Sequence, residues 1–208
     1  MKKKLTLDTW NRAAHFLFFK QMEEPFFGVT VTIDCTIAYE KAKQLKLSFF
    51  TYYLHKTLTA VNAIENFRYR IINDEVYIFD QIDVSATIIR EDKTFGFSLI
   101  EYHKDLLVFA EITKKEIHRI QTTTGLLTKA SYPENLIHFS TLPWINFTSF
   151  SHARSFTFPD SSPKISFGKM MDDNGKKTMA MSVHVHHGLI DGIHLGEFLE
   201  HFQELMNN

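Results

Sequence analysis

Cysteine is almost missing from this chain. Cys35 stands alone among 208 residues, which excludes an internal disulfide and a paired CxxC metal or redox site. Glycine and proline are sparse, and no Gly/Ser/Pro-rich linker divides the sequence, so one domain with a substantial core is expected over residues 1–208. No apolar run is long enough to span a bilayer. The basic residues 2–4 are followed by Asp8, Asn11 and Arg12, not by the apolar core of a signal peptide. Lysine plus arginine nearly balance aspartate plus glutamate, for a net charge of −1, so no broad basic field points to nucleic acid or an anionic membrane as partner. A cytoplasmic, reducing setting is the expectation. There is no internal repeat and no low-complexity tract.

What the chain has in abundance is phenylalanine, 20 residues, more than a core alone requires, so part of it is expected to line a cavity or an interface. It also has one stretch, residues 183–192, around which the rest is organised. Met179, Met181, Val183 and Val185 alternate with Ala180, Ser182, His184 and His186, the period-two pattern of a strand with an apolar and a polar face. His187 shares the parity of the apolar row and ends it just before a glycine-broken turn. Beyond the turn, Leu195, Phe198, Leu199, Phe202, Leu205 and Met206 recur at helical spacing.

An imidazole at the end of an apolar row is partly desolvated, which disfavours its charged form and suits it to accept a proton. A strand-end histidine is also commonly a hydrogen-bonded structural residue, and that alternative stays open here. His184 and His186 share a face, as two metal ligands would, but a third ligand is needed and none lies at a recurrent metal spacing; no metal is expected. Asp191 falls at the first turn of the following helix, where a carboxylate can cap free N–H groups.

The remaining elements follow from periodicity. Residues 7–19 read as a helix capped by Asp8 or Thr9, 26–34 as a strand, 37–45 and 48–64 as helices, and 67–72 with 75–79 as a hairpin turning at Asn73-Asp74. Residues 84–89 and 94–100 read as strands, 106–123 as a helix, 126–135 as a loop and 136–140 as a strand. An aromatic segment runs from Pro143 through Phe158, and strands at 165–170 and 178–187 flank a turn at 172–175. Helices and strands mixed in this way give an α/β or α+β class, a mixed sheet with helices packed on one face.

Two runs together resemble a known family. His186-His187-Gly188-Leu189-Ile190-Asp191-Gly192 matches the HHxxxDG signature of the chloramphenicol acetyltransferases, and residues 140–150, with Ser140, Pro143, Trp144, Phe147, Ser149 and Phe150, look like its SxxPWxxFxSF hallmark. Trp10 and Arg12, the Thr94-Phe95 pair, Pro133 to Asn135 and Leu205 fall in the same order as in the family. The resemblance implies a CoA-dependent acyltransferase fold and acetyl transfer from acetyl-CoA to a hydroxyl of chloramphenicol or a similar small acceptor, in a trimer with active sites between subunits. It also implies His187 as general base, Ser140 as donor to the oxyanion, and Asp191 with Arg12 as a supporting ion pair. Lys169, Trp144 and Ser166 would lie toward coenzyme A and the intermediate, and Phe19, Phe95 and Phe150 would line the acceptor pocket. The sequence departs from the family at His152 and Arg154, where apolar pocket residues are usual, at Met170, which replaces an aromatic, and at the acidic Glu23-Glu24. Those departures keep open an acyltransferase with another hydroxyl or thiol acceptor, and a non-catalytic trimeric binding protein.

Overall fold

The longest strand, β10 (Lys176–His186), is the axis of the molecule. The computed structural model describes residues 1–155 and 160–208, so the end of the aromatic segment, at 156–159, lies outside the described residues. The β10 strand pairs antiparallel with β2 (Phe26–Asp34) on one side and β8 (Lys164–Phe167) on the other. Next come β7 (Leu136–Thr141), parallel to β8, then β5 (Asp83–Ile89), parallel to β7, and antiparallel β6 (Phe95–Phe97). The order is β2-β10-β8-β7-β5-β6, with β9 (Met171–Asp173) hairpinned onto β10.

The apolar face of this mixed sheet carries the helices. Met179, Met181, Val183 and Val185 are buried there with Ile165 and Phe167 of β8. They meet α2 (Thr36–Gln44), α3 (Phe49–Ala63) and α5 (Gly192–Asn207). The α3 helix begins where Ser48 accepts the Thr51 N–H at 3.1 Å, and its two-sided aromatic pattern reflects burial between the sheet and its neighbours. Helix α4 (Leu106–Gln121), capped by Asp105, covers β5 and β6.

A separate three-stranded sheet, β1-β4-β3, combines β1 (Lys2–Lys4) with the hairpin β3 (Tyr69–Ile72) and β4 (Glu75–Phe79). Asn73 and Asp74 both have positive φ, 50° and 62°, as a two-residue turn of the expected kind requires.

Five expectations are corrected. Residues 7–19 are not one helix: a 3-10 turn at Leu7–Thr9 is broken at an extended Trp10, and α1 spans only Ala13–Phe19. The break lets the Trp10 ring meet Tyr69 edge-on at 5.3 Å and sends Arg12 inward; neither Asp8 nor Thr9 caps α1. The strand expected over 94–100 is cut to β6 because the Ser98 hydroxyl bonds the backbone of Ala86 on both sides, a local substitute for regular pairing. The strand expected at 67–72 starts at Tyr69, after a 3-10 turn over Glu65–Arg68, and the one at 165–170 ends at Phe167. The polar face of β10 is not a free surface: Ser182 and His186 are buried, and residues 150–155 and 160–163 lie over it. Among the described residues, no helix is long and apolar enough to cross a membrane.

Candidate active site

At the end of β10 the His187 N–H donates to the Pro25 carbonyl at 2.8 Å, and its ring enters a clamp of two phenylalanines. Phe19 of α1 stacks on it, centroids 4.0 Å apart and nearly parallel, and Phe27 of β2 lies at 4.5 Å. The Nδ1 atom is buried without a hydrogen-bond partner among the described residues. The backbone behind the ring is held as firmly. The Arg12 guanidinium, 7% exposed, donates to the His187 carbonyl at 3.0 Å and reaches Asp191 at 3.5 Å. Asp191 is the N-cap of α5, accepting from the Gly192 N–H, while its own N–H donates to His194 Nδ1. The Gly192 N–H, then the Arg12 charge, keep its carboxyl below the usual range. His186 closes the turn from the other face: its buried Nδ1 accepts the Gly188 N–H at 3.1 Å, and burial pushes its pKa down to about 4, so the ring is neutral with its proton on Nε2.

A second cluster sits on the opposite sheet face. Ser140, Ser166 and Ser182 are in register across β7, β8 and β10, and the Ser140 and Ser166 hydroxyls are 2.6 Å apart. His152 Nε2 comes within 3.4 Å of Ser166, and its ring meets Phe150 and His184 edge-on. The next row holds His138, Lys164 and His184. Lys164 pairs with Asp160; burial lowers the lysine, while the pair leaves the Asp160 carboxyl below its usual range despite burial. His184 Nε2 donates to the Phe150 carbonyl at 3.0 Å, and its ring lies across Gly28, where a Cβ would come within 2.5 Å of it. Arg154 pairs with Glu24 and stacks its guanidinium 4.2 Å from the centre of the Phe26 ring.

The structure thus divides the expected residues into two half-sites. Phe19, Arg12 and Asp191 gather with His187; Ser166, Phe150 and His152 gather with Ser140, and Phe95 is exposed on the same sheet face as Ser140. Ser140 is level with Ser182, two strands and five residues from His187, a separation of roughly 19 Å at ordinary strand spacings. The two do not meet within one chain. Lys169 and Trp144 form an exposed ledge, tied by the Lys169 N–H to the Ile145 carbonyl at 2.8 Å. Ser166 is fully buried and is not part of that ledge. Sequence reasoning missed Phe27, Gly28 and the Lys164–Asp160 pair. Strand parity could have found Phe27, since it shares the apolar face that ends at His187. Among the described residues, no three of His, Cys, Asp and Glu are grouped as a metal ion would need.

Comparison with known proteins decides what this scaffold is. The sequence model of the chloramphenicol acetyltransferase family matches residues 2–203. The chain belongs to the chloramphenicol acetyltransferase family. It is 29% identical over 207 residues to Chloramphenicol acetyltransferase 3 of Escherichia coli, covering 99% of this chain and 97% of that one. A solved chloramphenicol acetyltransferase superposes with a TM-score of 0.91 at 30% identity, covering 99% of this chain and all of the other. The dihydrolipoamide acetyltransferase of Azotobacter vinelandii shares the fold at a TM-score of 0.70, with 12% identity over 94% of this chain and 86% of that one. As a member of this family the protein is an acyltransferase with a CoA-dependent acyltransferase fold.

Proposed function

We propose that residues 1–208 form one domain that transfers the acetyl group of acetyl-CoA to a hydroxyl of chloramphenicol or a similar small acceptor, in the cytoplasm, without an acyl-enzyme. The observation that carries this reading is the His187 clamp. An imidazole fixed by stacking on Phe19, with its carbonyl held by Arg12 and its turn capped by Asp191, has the preorganisation of a general base. With Nδ1 buried, Nε2 is the nitrogen that accepts the acceptor's hydroxyl proton. The hydroxyl oxygen attacks the thioester carbonyl as it loses that proton, and negative charge develops on the carbonyl oxygen. Ser140 donates to that oxyanion. Collapse breaks the C–S bond, the thiolate takes the proton back from His187, and the acetyl ester and free coenzyme A leave. The exposed Lys169 and the Trp144 ring fit the phosphates and the flat base of the coenzyme.

We infer further that the working unit is a homotrimer in which His187 of one subunit faces Ser140 of the next. Supporting this are the separation within one chain and the nine-residue edge of β2, which pairs with no further strand among the described residues. Two distinct exposed apolar patches, Leu17 and Phe18 beside His187, and Trp144 with Ile145 just after the Ser140 strand, suit a head-to-tail contact.

The test is thiol release from acetyl-CoA in the presence of chloramphenicol, beside a panel of small alcohols and thiols. Turnover that depends on chloramphenicol is expected. Turnover with another alcohol or thiol alone moves the acceptor, and none with any acceptor removes the enzymatic reading. His187→Ala is expected to abolish turnover while leaving the assembly intact by sedimentation, and Ser140→Ala to lower kcat roughly a hundredfold.

A further inference from the structure

His152 has no part in the chemistry proposed above, yet it approaches Ser166, whose hydroxyl lies 2.6 Å from that of Ser140. Ser166 is fully buried, so its hydroxyl cannot turn to solvent and must find its partners among the groups around it. Among the described residues two are in reach: Ser140 Oγ at 2.6 Å and His152 Nε2 at 3.4 Å. Each hydroxyl has one proton to give. If His152 Nε2 accepts, Ser166 donates to it, Ser140 donates to Ser166, and the Ser140 proton is turned away from any oxyanion. If Nε2 carries the proton and donates, the Ser166 O–H donates its hydrogen bond to Ser140 Oγ, and the Ser140 O–H is left free to point outward. The tautomer of one imidazole therefore sets which way the hydroxyl of Ser140 faces.

We propose that His152 is a positioning residue which, through Ser166, orients and polarises Ser140 as the donor to the developing oxyanion. The inference rests on the role proposed for Ser140. The surroundings hold the ring in place: Phe150 lies at 4.6 Å and His184 at 5.1 Å, both edge-on, and His184 is itself pinned by the Phe150 carbonyl. Burial, with His184 and Lys164 adding to it, pushes the His152 pKa down to about 4, so at neutral pH the ring is uncharged and carries a single proton, on one nitrogen or the other. A chain of aligned donors strengthens each member, and the gain falls on the last hydroxyl, where charge develops. The 3.4 Å contact is long, as catalytic hydrogen bonds often are without a ligand.

Two measurements decide it. The first needs no acceptor: imidazole nitrogen NMR at neutral pH, with His152 assigned from its loss in His152→Gln. The expected result is a neutral ring with its proton on Nε2, whose nitrogen shift moves in Ser166→Ala. A proton on Nδ1, or no response to Ser166→Ala, overturns the proposal. The second is a double-mutant cycle in the acetyl-CoA and chloramphenicol assay. His152→Phe is expected to lower kcat about tenfold, with the KM for acetyl-CoA within about twofold, and to cost nothing further in a Ser140→Ala background. His152→Gln, whose amide nitrogen stands where Nε2 was, restores most of the rate, and His152→Asn, whose amide stands at Nδ1, does not. An unchanged kcat in His152→Phe, or the same loss in both backgrounds, overturns the relay. A wild type inactive with every acceptor fails the acetyl-transfer reading instead, and the NMR result still decides the tautomer.

Discussion

Two departures from the family turn out to be one. Arg154 was conspicuous in the sequence at a position where an apolar residue is usual, and so were Glu23 and Glu24. The structure pairs Arg154 with Glu24 across the Phe26 ring, so the added charge arrives with its counter-charge and a cation–π surface. His186 is a similar case: read from the sequence as projecting from a polar face, it is 4% exposed and accepts the Gly188 N–H. A protonated ring cannot accept, so this contact exists only for neutral His186. Its folded pKa, about 4, lies below the unfolded value of about 6.5, so the unfolded chain binds more protons between those limits. The stabilisation is complete above pH 6.5 and is lost as the pH falls toward 4. By pH 5 the expected loss from this residue is on the order of 2 kcal/mol. Denaturant unfolding at pH 7 and 5 checks it: His186→Asn, which keeps an acceptor for Gly188 but does not titrate, should lose less stability over that interval than the wild type. Equal losses would show that the ring is charged in the fold.

Elements whose burial is one-sided were legible in the sequence. The β2 strand, the β3–β4 hairpin and the run from β10 into α5 lie within a residue or two of expectation, because alternation or helical spacing follows directly from facing a core on one side. Elements set by a distant partner were not. Nothing local in three consecutive lysines announces β1, which exists because β4 offers an edge. Helix α1 is cut short by the packing of Trp10 and by the reach of Arg12 to a residue 179 positions away in the chain. The candidate site shows the same division: the His187 turn was visible as a motif, whereas the Phe27 wall and the Ser166–Ser140 pair depend on strand register, and His152 reaches them from a segment outside the strands. Asp191 allows the two influences to be separated, since it caps α5 and also pairs with Arg12. Asp191→Asn keeps a good cap and removes the charge, so thermal unfolding should show a loss below about 1 kcal/mol, the pair being partly exposed, while kcat drops as the His187 carbonyl loses its fixed partner. Asp191→Ala should add about 1 kcal/mol for the lost cap. An Asn variant with full stability and full activity would remove the ion pair from the account.

The whole molecule raises a question that no single residue answers: how the base proposed at His187 and the oxyanion donor proposed at Ser140, roughly 19 Å apart within one chain, would serve one reaction. Motion within the chain is a poor answer, because both are anchored, His187 by its stacking and Ser140 by its place in a central strand. Rotation of identical subunits is a better one, since a heterologous contact repeated around a threefold axis brings two different surface regions of one sequence together three times. This has a consequence that a self-contained site lacks. A His187→Ala subunit keeps Ser140, and a Ser140→Ala subunit keeps His187. If the proposed trimer is the working unit, the two inactive variants co-expressed in equal amounts give mixed trimers in which about one interface in four joins the intact histidine to the intact serine. Their activity should therefore recover to about a quarter of the wild-type value, and should vanish again when the two are purified separately and mixed without subunit exchange. Were both groups to act within one chain, every subunit in the mixture would lack one of them, and co-expression would restore nothing.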